Sequence, residues 1–99
     1  MKVELLYFDG CPNWLVADER ISEAAKLVSR DDLVVHRCKV ATEQDAIDVG
    51  FTGSPTILID GQDPFATGGE QVGLACRVYS TPHGLSGSPS VEQLVEALS

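Results

Sequence analysis

The hydrophobic period of the sequence changes abruptly across residues 8–14, FDGCPNW, and this change constrains the fold more than any other feature. Before it, residues 3–8, VELLYF, are mostly apolar and are predicted to form a mostly buried strand. After it, apolar residues recur at three- and four-residue steps to about Arg30, which is typical of an amphipathic helix. Pro12 suits the first helical position, which predicts that Cys11 is the N-cap residue. The apolar face of this helix holds Trp14, Ala17, Ile21, Ala24, Ala25 and Val28.

The rest of the chain continues this alternation of strands and helices. The final helix has a clear start, because Ser90 precedes an apolar stripe and Gln93 follows three residues later, as in a capping box. The predicted elements after the first helix are a strand over 33–40, a helix over 43–49, a strand over 56–59, a polar connection over 61–71, a strand over 72–79 and the final helix from about residue 91.

These elements predict an α/β fold in the order β-α-β-α-β-β-α, with a four-stranded mixed sheet flanked by helices. The first two strands are joined by a helix and are therefore expected to be parallel. The last two are adjacent in sequence and are expected to be antiparallel. A length of 99 residues suits a single domain over residues 1–99.

The composition restricts the partners and the compartment. Lys and Arg number 7 and Asp and Glu number 15, so the net charge is −8. Because this charge repels phosphate backbones and anionic lipids, we expect neither nucleic acid nor a membrane as a partner. The start of the chain lacks the pattern of a signal peptide. An odd count of three cysteines then predicts a cytoplasmic protein with reduced thiols. The oligomeric state stays open.

A cysteine at the first strand–helix junction and a proline that opens the third strand give the chain a family resemblance. The order of elements resembles the thioredoxin-like superfamily in its minimal, glutaredoxin-sized form. CPNW, residues 11–14, matches the position of that superfamily's CxxC motif, with Cys11 as the first cysteine. GSPT, residues 53–56, matches the segment with the superfamily's cis-proline, which implies that role for Pro55. The pattern also resembles small bacterial thioredoxin-like proteins with a GCPxW start and a CRVY strand.

Two departures from the superfamily pattern bear on the chemistry. Trp14 stands where the second cysteine of the motif is expected, and Leu5 stands where dithiol thioredoxins carry a buried acid. The start of a helix still favours the ionised thiolate of Cys11. Trp14 fits the buried helical stripe, and it also fits a substrate platform beside Cys11.

The second thiol has to come from elsewhere in the chain. The resemblance places the strand that contains Cys76 beside the one opened by Pro55, so Cys76 is a candidate resolving cysteine. Its alternation with neighbouring apolar residues equally fits a buried core cysteine. Cys38 is predicted to belong to the core. Arg77 fits either a site for an anionic substrate or an ion pair with an acid, and the ion pair is the favoured interpretation.

The sequence therefore predicts a thiol-dependent redox protein with Cys11 as nucleophile and Cys76 as candidate resolving thiol. The resemblance implies that the backbone of Ser54 before Pro55 binds an extended, peptide-like substrate. Pro12 and Trp14 are predicted to contact the substrate too. Expected partners are protein or small-molecule disulfides and thiols, with no metal or cofactor and with glutathione or another small thiol as a candidate co-substrate. Two alternatives stay open: a non-catalytic binding module, and a soft-metal or organomercurial thiol site.

Overall fold

The structure, a computed structural model, describes residues 1–30, 32–66 and 72–99. Within these residues the chain forms a three-stranded mixed sheet, a two-stranded sheet and three helices, which confirms the α/β class. In chain order the elements are β1 (Lys2–Tyr7), α1 (Asn13–Val28), β2 (Val34–Lys39), α2 (Glu43–Val49), β3 (Thr56–Ile59), β4 (Tyr79–Thr81), β5 (Gly84–Ser86) and α3 (Val91–Leu98).

Strand β1 is the centre of the larger sheet, whose order is β2–β1–β3. It runs parallel to β2, with Leu6 opposite Cys38, as predicted for strands joined by a helix. It runs antiparallel to β3, with Leu5 opposite Ile57. The end of β1 therefore lies beside the start of β3, and this brings the turn with Cys11 next to the segment with Pro55.

Apolar side chains of β1 point alternately to two faces of the sheet, and each face is covered. Leu5 points toward α1 and α3, whereas Leu6 points toward α2. The first face holds the buried residues Val3, Leu5, Ala17, Ile21, Ala24, Ile57, Leu94 and Leu98. The second face holds the buried residues Leu6, Val40, Ala46 and Phe51.

Local capping signals define the two shorter helices. Thr42 Oγ1 accepts a hydrogen bond from the Asp45 backbone N–H at 3.1 Å, and α2 ends at Gly50 with a left-handed φ of 68°. Ser90 and Gln93 form the predicted capping box at the start of α3. These helices begin where their sequences indicate, because the signals act within one turn.

The predicted fourth strand of the sheet, over 72–79, is wrong. Within the described residues the sheet stops at β3, and residues 72–78 meet it through one isolated bridge between Ser54 and Cys76, which is parallel rather than antiparallel. The side-chain parity is also reversed, since Arg77 is buried and Val78 is 65% exposed. The physical reason is that contacts with distant residues, described below, turn Arg77 inward and override the apolar alternation.

The residues between the predicted strand over 72–79 and the final helix, to which no strand or helix was assigned from the sequence, form part of a hairpin. Strands β4 and β5 pair antiparallel, with Tyr79 opposite Ser86. Gly84, the first residue of β5 after the turn, has a φ of 105°, which favours glycine, and Gln93 Nε2 donates to Ser80 O at 2.9 Å. The hairpin is thereby attached to the start of α3. The predicted connection over 61–71 includes residues 67–71, which lie outside the described residues.

Candidate thiol–disulfide site

Cys11 lies in the tight turn between β1 and α1. Its backbone N–H donates to Phe8 O at 3.3 Å, and its side chain is fully buried. A Cβ on Gly10 would lie 2.3 Å from Phe8 Cε2, so a larger residue there would require the Phe8 ring to move. The N-cap residue of α1 is Pro12, so the prediction that Cys11 is the N-cap is wrong by one position. Pro12 takes the cap position itself because α1 begins only at Asn13.

Cys11 and Cys76 are joined by a disulfide across a sequence separation of 65. Their Cα atoms lie 5.8 Å apart, inside the range that disulfides require. The structure thus brings together the two cysteines that the sequence offered as candidates. It also separates them by environment, because Cys11 is buried whereas Cys76 is an exposed residue. Cys76 is therefore not the buried core cysteine that its alternation also allowed.

The backbone of Ser54 holds the segment that carries Cys76. The Ser54 N–H donates to Ala75 O at 2.7 Å, and Ser54 O accepts from the Arg77 N–H at 3.0 Å. Ser54 O also lies 3.7 Å from Cys11 Sγ. The chain's own residues 75–77 occupy these backbone groups in this structure, and the binding of an extended substrate by Ser54 stays a prediction.

Gly53 permits this close approach of the two segments. Its φ is +112°, and a Cβ there would lie 2.8 Å from Arg77 Cβ. Sequence reasoning missed the role of Gly53. The only signal was a glycine directly before the Ser-Pro pair, which does not identify the residue that would approach it.

The Arg77 side chain anchors the Cys76 segment on its inner side. The guanidinium pairs with the carboxylate of Asp63, and it also donates to Phe65 O at 3.1 Å and to Thr52 Oγ1 at 3.2 Å. It lies over the ring of Tyr79, 4.6 Å from the ring centre. The prediction that Arg77 pairs with an acid is confirmed, and these partners explain why Arg77 is turned inward.

Pro55 lies beneath this segment, whereas Pro12 is on the surface. The Ser54–Pro55 peptide bond is cis, as the resemblance implies. Pro55 is fully buried, and its carbonyl accepts a hydrogen bond from Tyr79 Oη. Pro12 is exposed beside the buried Cys11. Contact of Pro12 with a substrate stays a prediction.

Trp14 occupies the beginning of the buried face of α1. Its indole stacks on Tyr7 with ring centres 4.0 Å apart and planes 20° apart, and it packs against the α1–α3 side of the core. The half-buried indole thus fulfils the predicted packing role. Its role as a substrate platform stays a prediction.

The charges near Cys11 are compensated. Asp9, two residues before Cys11, pairs with Lys39 at 2.6 Å between Oδ2 and Nζ. The hydrogen bond that Lys39 donates to Asp9 and the negative charge of that carboxylate raise the pKa of Lys39 above its ordinary value. Leu5 is fully buried in the central strand.

Cys38 stands apart from the pair. It is half-buried in β2, opposite Leu6, and packs against the α2 side of the core as predicted. In the part of the chain that the structure describes, no group of three or more His, Cys, Asp and Glu side chains is arranged to hold a metal ion. A soft-metal site at Cys11 and Cys76 would first require reduction of their disulfide, because thiolates are the ligands.

Comparison of the chain with protein-family models, with curated proteins and with solved structures gives no match. Among the helices that the described residues form, none is long and apolar enough to cross a membrane. An assignment of function therefore depends on the arrangement of this chain's own residues.

Proposed function

We propose that the protein is a thioredoxin-like thiol–disulfide exchange protein whose reactive pair is Cys11 and Cys76. One observation carries the proposal: two cysteines 65 residues apart meet at a strand–helix turn, at disulfide distance. Three further features support the class. These are a central first strand, a cysteine just before α1 and a cis-proline beside it.

The pair replaces the usual local motif with a distant partner. Trp14 supplies no thiol, and its stacking on Tyr7 uses that position for packing. Cys76 supplies the second sulfur from a segment fixed by Ser54 and Arg77. The reaction therefore needs no resolving cysteine on α1.

The exchange is a two-electron reaction. A reduced pair transfers two electrons to a disulfide, forms the Cys11–Cys76 bond and releases two thiols, while a partner thiol pair reverses the process. The protein needs no cofactor for this, since a small thiol such as glutathione regenerates the reduced pair. The partners are soluble disulfides and thiols.

A second candidate is a non-catalytic binding module in which the disulfide only fastens residues 72–78 to the sheet. The occupied backbone of Ser54 favours it, because a peptide-binding thioredoxin-like protein would keep those groups open. The two candidates differ in whether the disulfide exchanges under native conditions.

The test is a stoichiometric exchange of the reduced protein with glutathione disulfide. We expect each molecule to consume one glutathione disulfide, release two glutathiones and form the Cys11–Cys76 bond, as read by peptide mapping. Cys11→Ser and Cys76→Ser should stop at a mixed disulfide, and Cys38→Ser should match the parent protein. A pair that reacts no faster than Cys38, or whose bond resists glutathione until the protein is unfolded, would favour the binding module.

A further inference from the structure

The two sulfurs of the pair differ in access. Cys11 is 0% exposed, whereas Cys76 is among the exposed residues. A thiolate attacks a disulfide sulfur from the side opposite the bond that breaks, so the side behind each sulfur decides whether attack is feasible. Because Cys11 has no exposed surface and Cys76 does, a thiolate in solution can reach Cys76 and not Cys11.

We infer that Cys76 is the sulfur that exchanges with partners in solution and that Cys11 is the buried thiol that closes the disulfide. This inference rests on the proposed thiol–disulfide exchange and assigns an order to its two sulfurs. It is the reverse of the order predicted from sequence, in which the cysteine before the helix attacks first.

The contacts that hold Cys76 over Cys11 do not depend on the disulfide. Backbone hydrogen bonds fix Ala75 and Arg77 to Ser54 on either side of Cys76. The side chain of Arg77 is buried against Asp63. Reduction breaks the S–S bond and leaves these contacts in place, so Cys76 continues to cover Cys11 in the dithiol form.

The order fixes each step of the reaction. The Cys76 thiolate attacks one sulfur of a partner disulfide, which forms a mixed disulfide on Cys76 and releases one partner thiolate. The Cys11 thiolate then attacks the Cys76 sulfur, which closes the Cys11–Cys76 bond and releases the second partner thiolate. In the reverse direction a solution thiolate attacks Cys76 and displaces Cys11 as the leaving thiolate.

The same geometry defines the class of partner. An extended peptide would need the N–H and carbonyl of Ser54, and both are bonded to residues 75–77. A small disulfide needs only to reach Cys76 at the surface. The site therefore takes low-molecular-weight disulfides and thiols of the glutathione type.

The test compares two single-cysteine proteins in a Cys38→Ser background. One carries Cys11→Ser and retains Cys76, and the other carries Cys76→Ser and retains Cys11. We expect the mixed disulfide with glutathione disulfide to form faster on Cys76, on the order of tenfold or more, because access limits the rate. Equal rates, or faster reaction of Cys11, would overturn the inference.

A second measurement uses the intact pair. The oxidised Cys38→Ser protein is mixed with glutathione, quenched with acid at early times, alkylated and mapped. We expect glutathione on Cys76 and the alkyl group on Cys11; the opposite labelling overturns the inference and leaves the proposed function standing. If neither cysteine forms a mixed disulfide, both fail.

Amide hydrogen exchange tests the fixed segment. In the reduced protein the N–H groups of Ser54 and Arg77 should stay protected from exchange, since their partners are backbone carbonyls. Loss of protection at both sites on reduction would overturn the inference, because the segment would then leave Cys11 open.

Discussion

The sheet with its helices and the segment over residues 72–78 are held by different kinds of interaction. Strand β1 and helices α1 and α3 meet through buried apolar side chains such as Leu5 and Leu94. The segment is held mainly by polar and covalent contacts: one disulfide, backbone hydrogen bonds with Ser54 and Phe51, and the ion pair of Arg77 with Asp63. Of its apolar residues, Leu74 packs against the α2 side of the core, whereas Val72 and Val78 are half or more exposed.

Under the proposed function, this difference predicts that a change in the redox state of the cysteine pair leaves the folded core intact. The stabilisation that comes from burial of apolar area does not depend on the redox state of the cysteines. The sheet and its helices should therefore persist in the dithiol form. The segment contributes the exposed sulfur while the sheet fixes the buried one. Variants in each region, studied in oxidised and reduced protein, show how far this separation holds.

The largest effect is expected in the apolar core. Leu5→Ala should lower the free energy of unfolding by about 2–5 kcal/mol, because it leaves a cavity in a fully buried site. Chemical denaturation should give the same loss in oxidised and reduced protein. If Leu5→Ala does not fold, Ile57→Val serves as a milder core variant, which is expected to lower the free energy of unfolding by about 0.5–1.5 kcal/mol. A loss that disappears on reduction would contradict the separation.

Removal of the disulfide should lower the free energy of unfolding by nearly as much, and only in oxidised protein. Cys76→Ser is expected to lower stability by about 2–4 kcal/mol, because the bond restricts a 65-residue separation in the unfolded chain. Denaturation under reducing conditions should bring the parent protein and Cys76→Ser together. Cys38→Ser is the matched control: it keeps the Cys11–Cys76 bond, so its stability should fall on reduction as that of the parent protein does. A difference that persists under reducing conditions would assign Cys76 a packing role instead.

Loss of the buried ion pair should loosen the segment by a smaller amount. Asp63→Asn is expected to cost about 1.5–3 kcal/mol, since the guanidinium of Arg77 loses a charged partner at a buried site. The hydrogen-exchange rate of the Arg77 backbone amide should also rise in this variant. Asp48→Asn, on the exposed face of α2, should change stability by less than about 0.5 kcal/mol. Equal effects of the two variants would contradict the role of Arg77 in anchoring the segment.

The helix caps should show a still smaller effect that is independent of redox state. Ser90→Ala is expected to cost about 1 kcal/mol, because the Gln93 backbone N–H loses its acceptor. Thr42→Ala is the equivalent change in α2 and should cost about as much. Both losses are measured by thermal and chemical unfolding in both redox states, and a cap effect confined to oxidised protein would show that the two regions are coupled.

The smallest effect concerns acid stability at the edge of the sheet. The hydrogen bond and charge of Arg30 lower the pKa of Asp32. A lowered folded-state pKa means that the contribution is present above the unfolded value of about 3.9 and is lost as the pH falls through the folded pKa. Asp32→Asn should therefore weaken the dependence of the free energy of unfolding on pH in the acid range. The effect should be small because the carboxylate is exposed. An unchanged profile would contradict this.

The sequence identifies elements whose signals are local and fails where distant residues decide. Thr42, Gly50 and Ser90 mark helix ends through contacts within one turn, so these ends are predictable. The turn with Cys11 and the cis peptide at Pro55 follow from the resemblance. The path of residues 72–78 does not follow from either source.

Two long-range contacts explain that failure. Arg77 turns inward to reach Asp63, 14 residues earlier, and Gly53 lets the segment approach the sheet. Both contacts act against the alternation of apolar residues, which alone predicts a regular strand. The same segment occupies the backbone of Ser54, so the sequence could identify Ser54 as a neighbour of the site and could not show that its binding groups are already used.

The central claim is that Cys11 and Cys76 form one exchangeable redox pair, and a native redox titration tests it most directly. The protein is equilibrated across glutathione buffers, quenched, alkylated and analysed by mass spectrometry. We predict that Cys11 and Cys76 lose their alkyl labels together, as one two-electron couple with a slope of about 30 mV per tenfold change, while Cys38 titrates separately. Labels on Cys11 and Cys76 that change independently, or that do not change without denaturant, would contradict the account.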